Sequence, residues 1–414
     1  MSISEPGRGP SVTAAQAPVL RRVLGTPLLV FYGLGVIIGA GIYVLVGSVV
    51  GAAGTAAPWA FILAGILAGL TGLSYAELAV RFPEAAGAAA YVKEAFGSDR
   101  LSQLVGLAVA AAVIMSTASI ARGGVGYFQV FASWPDAFIA GGIVLLFAVI
   151  ACLGVRDSVG VAAAMTLIEI GGLLLVIVAG WPALQSLPER IGELMPADPV
   201  AIAGVAAGAF LAFFAFIGFE NLANMAEEAV APERNLPRSI LISLGLSTLL
   251  YVAVTAVTIL SLAIDEVASS SAPLLLVAAR APWFSSHLFA AIALVAVANG
   301  VLIELVMLAR LLYGMARRGW LPRRLGNVNE RWSTPVLATI VAGGAVFVLT
   351  VALPFVSLVA VTSTMTLLVF ATVNVALWHL QRRQPRRVGF RAPRFVPPLA
   401  AIANVALAIV QFLV

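Results

Sequence analysis

The 414-residue chain is 61% hydrophobic and 10% charged, with a mean hydropathy of +1.05, whereas a soluble domain runs near roughly 45–50% apolar and about 25% charged. That composition excludes a soluble globular fold, and it excludes intrinsic disorder for the same reason. Lys and Arg outnumber Asp and Glu by 24 to 19, and the single cysteine, Cys152, excludes an intrachain disulfide and any cysteine-based metal site.

In chain order, residues 1–26 read as a polar tail. The apolar run after it is too long for a signal-peptide core, so it reads as a retained first helix. Stretches of spanning length follow at about 27–50, 56–80, 101–131, 137–154, 159–181, 200–221, 238–263, 286–316, 335–353, 357–380 and 396–414. At roughly 20 residues per crossing, these predict about eleven transmembrane helices in one all-α integral membrane domain. A basic loop at 381–395 separates the last helix from the ten before it.

Orientation follows from where the cations fall. With the N-terminus cytoplasmic, twenty Lys and Arg lie inside, two (Arg190, Arg280) outside and two (Arg122, Arg310) within spans. The basic balance is therefore a topology signal and not a nucleic-acid footprint. It predicts a multi-pass protein of the cell membrane, in the manner of a bacterial inner membrane, with the lipid bilayer as its surroundings.

Two spans are internally odd. Helix 1 carries Gly33, Gly35, Gly39 and Gly41, and helix 6 places Gly218 beside Glu220 after a Phe-rich run. Each glycine weakens a helix by about 1 kcal/mol relative to Ala. Gly-interrupted segments at corresponding positions of two halves point to the binding site of an inverted-repeat transporter. Five helices separate the breaks, which makes helices 1–5 (about 27–181) and 6–10 (about 200–380) the two repeats. The alternative is a helix-packing stripe: Gly35 and Gly39 keep four-residue spacing, but Gly41 does not.

The run Gly39-Ala40-Gly41-Ile42-Tyr43 resembles the glycine-rich first helix of amino acid–polyamine–organocation (APC) permeases. Phe214-Ala215-Phe216-Ile217-Gly218-Phe219-Glu220, followed by Ala226-Glu227-Glu228 and Pro232-Glu233-Arg234-Asn235-Leu236-Pro237-Arg238, is similar to that family's sixth helix and its cytoplasmic tail. Further matches are Tyr75-Ala76-Glu77-Leu78, Tyr313-Gly314-Met315-Ala316 to Gly319-Trp320-Leu321-Pro322, and Thr362-Ser363 to Val373-Asn374. The resemblance implies a LeuT-type fold: a ten-helix core, here 27–380, of two inverted five-helix repeats with discontinuous helices 1 and 6. Members usually have twelve helices, so eleven here leaves open a small membrane partner or a dimer contact.

A zwitterionic substrate needs anion donors on one side and cation acceptors on the other. Broken helices supply both, through free N–H groups at a positive dipole end and unwound carbonyls. The resemblance implies N–H groups from Ile38, Gly39, Ala40 and Gly41, and carbonyls with an aromatic cover from Phe214, Ala215, Phe216 and Ile217. The plain alternative for these phenylalanines is a lipid-facing cluster.

Charges at membrane depth cost about 2.5–3.5 kcal/mol each on insertion scales and mark function by default. Glu77, Arg122, Glu169, Glu220, Glu304 and Arg310 qualify. Glu77 is close enough to a helix end to reach the interface and reads as structural. Glu169, eleven residues into helix 5, is about 16 Å deep. Proton-coupled members often carry a lysine at the matching position in place of a sodium ion, so the charge is reversed here. A carboxyl at that depth can still carry a proton; a hydrogen-bonded structural role and a sodium ligand remain alternatives. Glu220 is a second proton-coupling candidate. Glu304, mid-helix 8, reads as a contact to the distal amine of a cationic substrate, as a proton partner of Glu169, or as a pair with Arg310.

The sequence therefore predicts a secondary active permease for amino acids, proton-coupled through Glu169, with no cofactor beyond the coupling ion. Rivals are an ion-independent exchanger, a polyamine permease and a non-transporting sensor. An enzyme is disfavoured, because the only histidines, His287 and His379, lie near opposite membrane faces.

Overall fold

A computed structural model of the chain describes residues 22–83, 87–153, 159–329, 331–332, 334–383 and 389–412. The expected tail up to residue 21, and residues 384–388 of the expected basic loop, lie outside the described residues. Twelve helices carry the architecture: α1 (Thr26–Ala53), α2 (Ala57–Arg81), the short α3 (Ala88–Phe96), α4 (Asp99–Gly123), α5 (Asp136–Leu153), α6 (Val159–Ala179), α7 (Pro199–Ala212), α8 (Pro232–Ser261), α9 (Ser286–Arg317), α10 (Val336–Ala352), α11 (Phe355–Arg383) and α12 (Val396–Val410). Among the described residues there is no β-strand, only two isolated bridges.

Helix starts follow local chemistry. The Ser98 and Asp198 side chains accept from Leu101 N and Ala201 N at 3.3 and 2.8 Å, and Pro occupies the first turn of α1, α2, α7 and α8, where its missing N–H costs nothing. Seven stretches among the described residues are long and apolar enough to cross a bilayer. The first, Thr26–Arg81, contains both α1 and α2, and three shorter apolar helices add to the set. Every one of the eleven expected spans therefore has a helix.

The helices form two packing groups. α1 and α2 pack on each other and on both α7 and α8, and α4, α5, α9 and α10 pack on one another. α6 bridges the groups through α1 and α9, and α11 bridges them through α2 and α4. The segment before α1 is clipped to the loop after the second break: Val23 N and Leu24 N donate to Glu228 O at 3.0 Å, and Val230 N returns to Leu24 O at 2.9 Å.

Buried polar bonds fasten α12 and α11 to α2. Asn374 Nδ2 and Asn404 Nδ2 both donate to Thr71 Oγ1, at 3.2 and 2.9 Å, while Ser74 Oγ donates to Asn374 Oδ1 at 2.6 Å. Glu77 overturns the expectation that it reaches the interface, because it is fully buried. Its Oε1 accepts from Arg81 Nε and Nη2 at 2.8 and 2.5 Å, and its Oε2 from Gln381 Nε2 and Ala392 N at 2.6 and 2.8 Å. Four donors from α2, α11 and the segment before α12 make it a structural clamp.

Candidate functional site

The two interrupted segments face each other. In α1 the helix breaks at Gly39, whose φ of −19° and ψ of −156° are non-helical. In the second segment α7 ends at Ala212, the aromatic run Phe213–Phe216 continues as a 3₁₀ turn, and the chain opens at Ile217 (ψ 134°) and Gly218 (φ 121°). A second 3₁₀ stretch, Phe219–Met225, follows. Gly218 is required twice over, by its positive φ and because a Cβ there would stand 2.8 Å from Val36 O. Gly41 permits the other close approach, since its Cβ would meet Ala215 Cα at 3.0 Å. A Cβ at Gly39 would meet nothing within 4 Å, so that glycine serves the break and not a packing stripe.

Tyr251, from α8, joins the breaks. Its buried hydroxyl lies 2.8 Å from Ile37 O and 3.0 Å from Ala215 O and donates its single proton between them. Phe216 stacks on Tyr251 at 5.2 Å, and Phe213 and Phe219 stack on Phe370 at 6.0 and 5.2 Å. These rings are fully buried core, which overturns the lipid-facing alternative.

A cavity of about 580 Å³ opens between the breaks. Gly39, Ala40, Gly41, Phe214, Ala215, Ile217, Glu220 and Glu304 line it. Ile38 and Phe216, expected beside them, do not: both are buried behind the wall. The cavity continues past Met307 to Ala88 and Arg310, toward the face where α2, α9 and α11 end in arginines. On the opposite side the loop between α8 and α9 packs on α1, close enough that a Cβ at Gly47 would lie 2.8 Å from Val267 O.

Three carboxylates surround this space differently. Glu220 Oε2 accepts from Gly218 N at 2.9 Å, so the acid caps an N–H freed by the break. Glu304 is held by hydroxyls of α4: Ser116 Oγ donates to Oε1 at 2.7 Å, and Thr117 Oγ1 lies 2.9 Å from Oε2. Thr117 Oγ1 is also 2.7 Å from Val113 O. One hydroxyl proton serves one of these acceptors, and a proton on Glu304 completes the other bond. Both oxygens of Glu304 are thus met by hydroxyls of α4.

Glu169 does not line the cavity and is fully buried one layer out. Asn299 Nδ2, from the cavity wall, donates to its Oε1 at 2.8 Å, while Oε2 is buried with no partner among the described residues. Its own carbonyl accepts from Tyr43 Oη at 2.6 Å, and Tyr127 Oη donates to Tyr43 O at 2.6 Å. Glu169 is thereby linked to α1 through the backbone and to α9 through the side chain. A buried acceptor left bare costs about 1–3 kcal/mol.

Sequence reasoning misses Tyr251, Asn299, Ser116 and Thr117. Their only signal is polarity inside an apolar run, which does not reveal that they converge. His287 and His379 stack on Phe131 and Phe96, far from the cavity wall. Among the described residues no group of three His, Cys, Asp or Glu could hold a metal.

Residues 24–414 match the family model described as amino acid permease. The chain is 30% identical over 386 residues to "Cationic amino acid transporter 3, mitochondrial" of Arabidopsis thaliana, covering 86% of this chain and 62% of that protein. It is 28% identical over 392 residues to the branched-chain amino acid permease BcaP of Bacillus subtilis (strain 168), covering 88% and 82%. Cationic amino acid transporter 4 of Homo sapiens is 29% identical over 390 residues, covering 88% and 61%. The chain thus spans about three fifths of the plant and human relatives and four fifths of the bacterial one.

Proposed function

Because this chain belongs to the amino acid permease family, we propose that it is a secondary active transporter that moves amino acids across the cell membrane by alternating access. The family and the relatives are permeases and transporters, not enzymes. The observation that carries the reading is that two stretches far apart in the chain break at one cavity, and one tyrosine hydroxyl lies within hydrogen-bond reach of a carbonyl of each.

In this reading the substrate carboxylate sits on the N–H groups of Gly39 to Gly41, where a helix end favours an anion. The ammonium faces carbonyls at Phe214 to Ile217, and Phe214 covers the ligand. The packing group of α1, α2, α7 and α8 rocks against that of α4, α5, α9 and α10, and the inverted repeats are 27–181 and 200–380. The N-terminus is cytoplasmic, so the cavity opens inward.

Proton coupling runs through Glu169, with Glu220 beside the second break as a secondary group. Support comes from the half-satisfied carboxylate of Glu169, which a proton suits, and from its links to both packing groups. An ion-independent exchanger is the rival. For the substrate, Glu304 favours a cationic amino acid, in line with the cationic transporters among the relatives; the branched-chain permease argues for an apolar one.

Proteoliposomes decide it. An inwardly directed proton gradient should drive uptake of radiolabelled amino acid without substrate inside. Uptake only against internal substrate, indifferent to the gradient, overturns coupling; no uptake of any amino acid under either condition overturns transport.

A further inference from the structure

The last 84 residues, from Arg331 onward, contain seven arginines and no acid. Four of these, Arg382, Arg383, Arg391 and Arg394, are described and flank the junction of α11 and α12. There a second cavity, of about 430 Å³, is lined by Trp378, Gln381, Arg382 and Arg394. It lies outside the transport cavity, with which it shares no lining residue.

The groups around it are left with unmet charge. Glu77 is the acid beneath it, and its four acceptor positions are taken by Arg81, Gln381 and Ala392 N. Among the described residues no carboxylate pairs with Arg382, Arg391 or Arg394. Arg391 Nη2 is buried without a partner among the described residues, and so is Gln381 Oε1. The Arg382 guanidinium stacks 3.9 Å from the centroid of Trp378, which fixes its plane. Directly after Arg394, Phe395, Leu399 and Ile402, at helical spacing, form an exposed apolar track at the start of α12.

We propose that this cavity binds the headgroup of an anionic phospholipid from the arginine-bearing leaflet. The phosphodiester takes Arg382 and Arg394, whose planar guanidinium groups suit its oxygens. A headgroup hydroxyl donates to the bare Gln381 Oε1. The acyl chains run down the Phe395–Leu399–Ile402 track, and Trp378 sits at headgroup depth, where its ring is favoured. Because Gln381 also holds Glu77, an occupied cavity braces the same clamp that joins α2, α11 and the segment before α12. The chemistry is that of a phosphate oxyanion, and the apolar track commits it to a lipid over a free phosphate.

The test uses the full chain in nanodiscs of phosphatidylcholine with or without phosphatidylglycerol, read by thermal unfolding and by the lipids retained on the purified protein. Phosphatidylglycerol should be retained and should raise the midpoint. Each basic residue near an anionic surface contributes about 1 kcal/mol, or about fivefold in affinity, so Arg382→Gln with Arg394→Gln should weaken retention about 25-fold. Arg331→Gln, a basic residue stacked on Trp332 elsewhere, should leave it unchanged. Equal retention in the double variant and the parent overturns the site. Equal midpoints in the two lipids overturn it as well, and an equal rise with inorganic phosphate in pure phosphatidylcholine replaces the lipid with a free anion.

Discussion

Among the described residues two carboxylates are fully buried, and their surroundings differ completely. Glu77 meets four donors, two of them on a buried arginine. Glu169 meets one amide, and its second oxygen meets no partner among the described residues. A saturated acid is a joint that holds three segments in one arrangement. A half-satisfied acid has a state that the present arrangement leaves unfilled, and a proton or a helix movement can fill it. The comparison separates structure from mechanism better than depth in the membrane does, because both residues are equally hidden.

Removing the saturated acid should have the largest effect. Glu77→Gln keeps the shape but removes the carboxylate from its buried ion pair with Arg81, and breaking a buried pair from one side costs about 3–5 kcal/mol. Thermal unfolding in detergent should show a large fall in midpoint. An unchanged midpoint would mean that the clamp is solvated, and the contrast with Glu169 would collapse.

The next effect lies at the breaks. Tyr251→Phe preserves the ring contacts with Phe61 and Phe216 but strips the proton shared by Ile37 O and Ala215 O. A buried acceptor left unmet costs about 1–3 kcal/mol. The two breaks should come apart more readily, and uptake should fall about tenfold with a smaller loss of stability than in Glu77→Gln. Normal uptake would show that α1 and the 3₁₀ segment hold their juxtaposition through Gly41 and Gly218 alone.

Smaller still is Asn299→Ala, which bares the remaining oxygen of Glu169. Its cost is that of one hydrogen bond, about 0.5–1.5 kcal/mol net where a proton on Glu169 removes the charge and larger where the carboxylate is charged. The midpoint should therefore drop at neutral pH and recover on acidification. A drop that is the same at both values would put Glu169 in the same protonation state throughout.

How much of this is legible in the sequence depends on the range of the cause. The eleven spans are, because a run of apolar residues acts locally. Breaks near Gly39 and in the sixth span are legible for the same reason. The exact opening at Ile217–Gly218 is not, because it depends on Val36 O standing where a Cβ at residue 218 would be, which is a tertiary fact. Glu77 looks like an interface residue by position alone; only the return of the chain at Ala392, 315 residues later, buries it. Glu304 and Glu169 are found by depth, but their division into a hydroxyl-bound wall residue and an orphan behind the wall comes from α4 and α9 folding back on them.

The smallest expected change in stability is also the sharpest test of the comparison. Glu169→Gln keeps volume and keeps an oxygen for Asn299, so the 2.8 Å bond survives. The amide puts an N–H₂ where the bare Oε2 stands, exchanging one unmet group for another, and the midpoint should move by no more than about 1 kcal/mol equivalent. The variant cannot gain or lose a proton. If Glu169 couples transport, uptake by the parent rises as the outside is acidified, while uptake by the variant is flat across the same range and substrate binding persists. A variant that destabilises as strongly as Glu77→Gln would show that Glu169 is a second clamp. A variant with the parent's full pH response would move the coupling proton elsewhere, and Glu304, whose contact with Thr117 already has room for one, is where the same substitution would then be made.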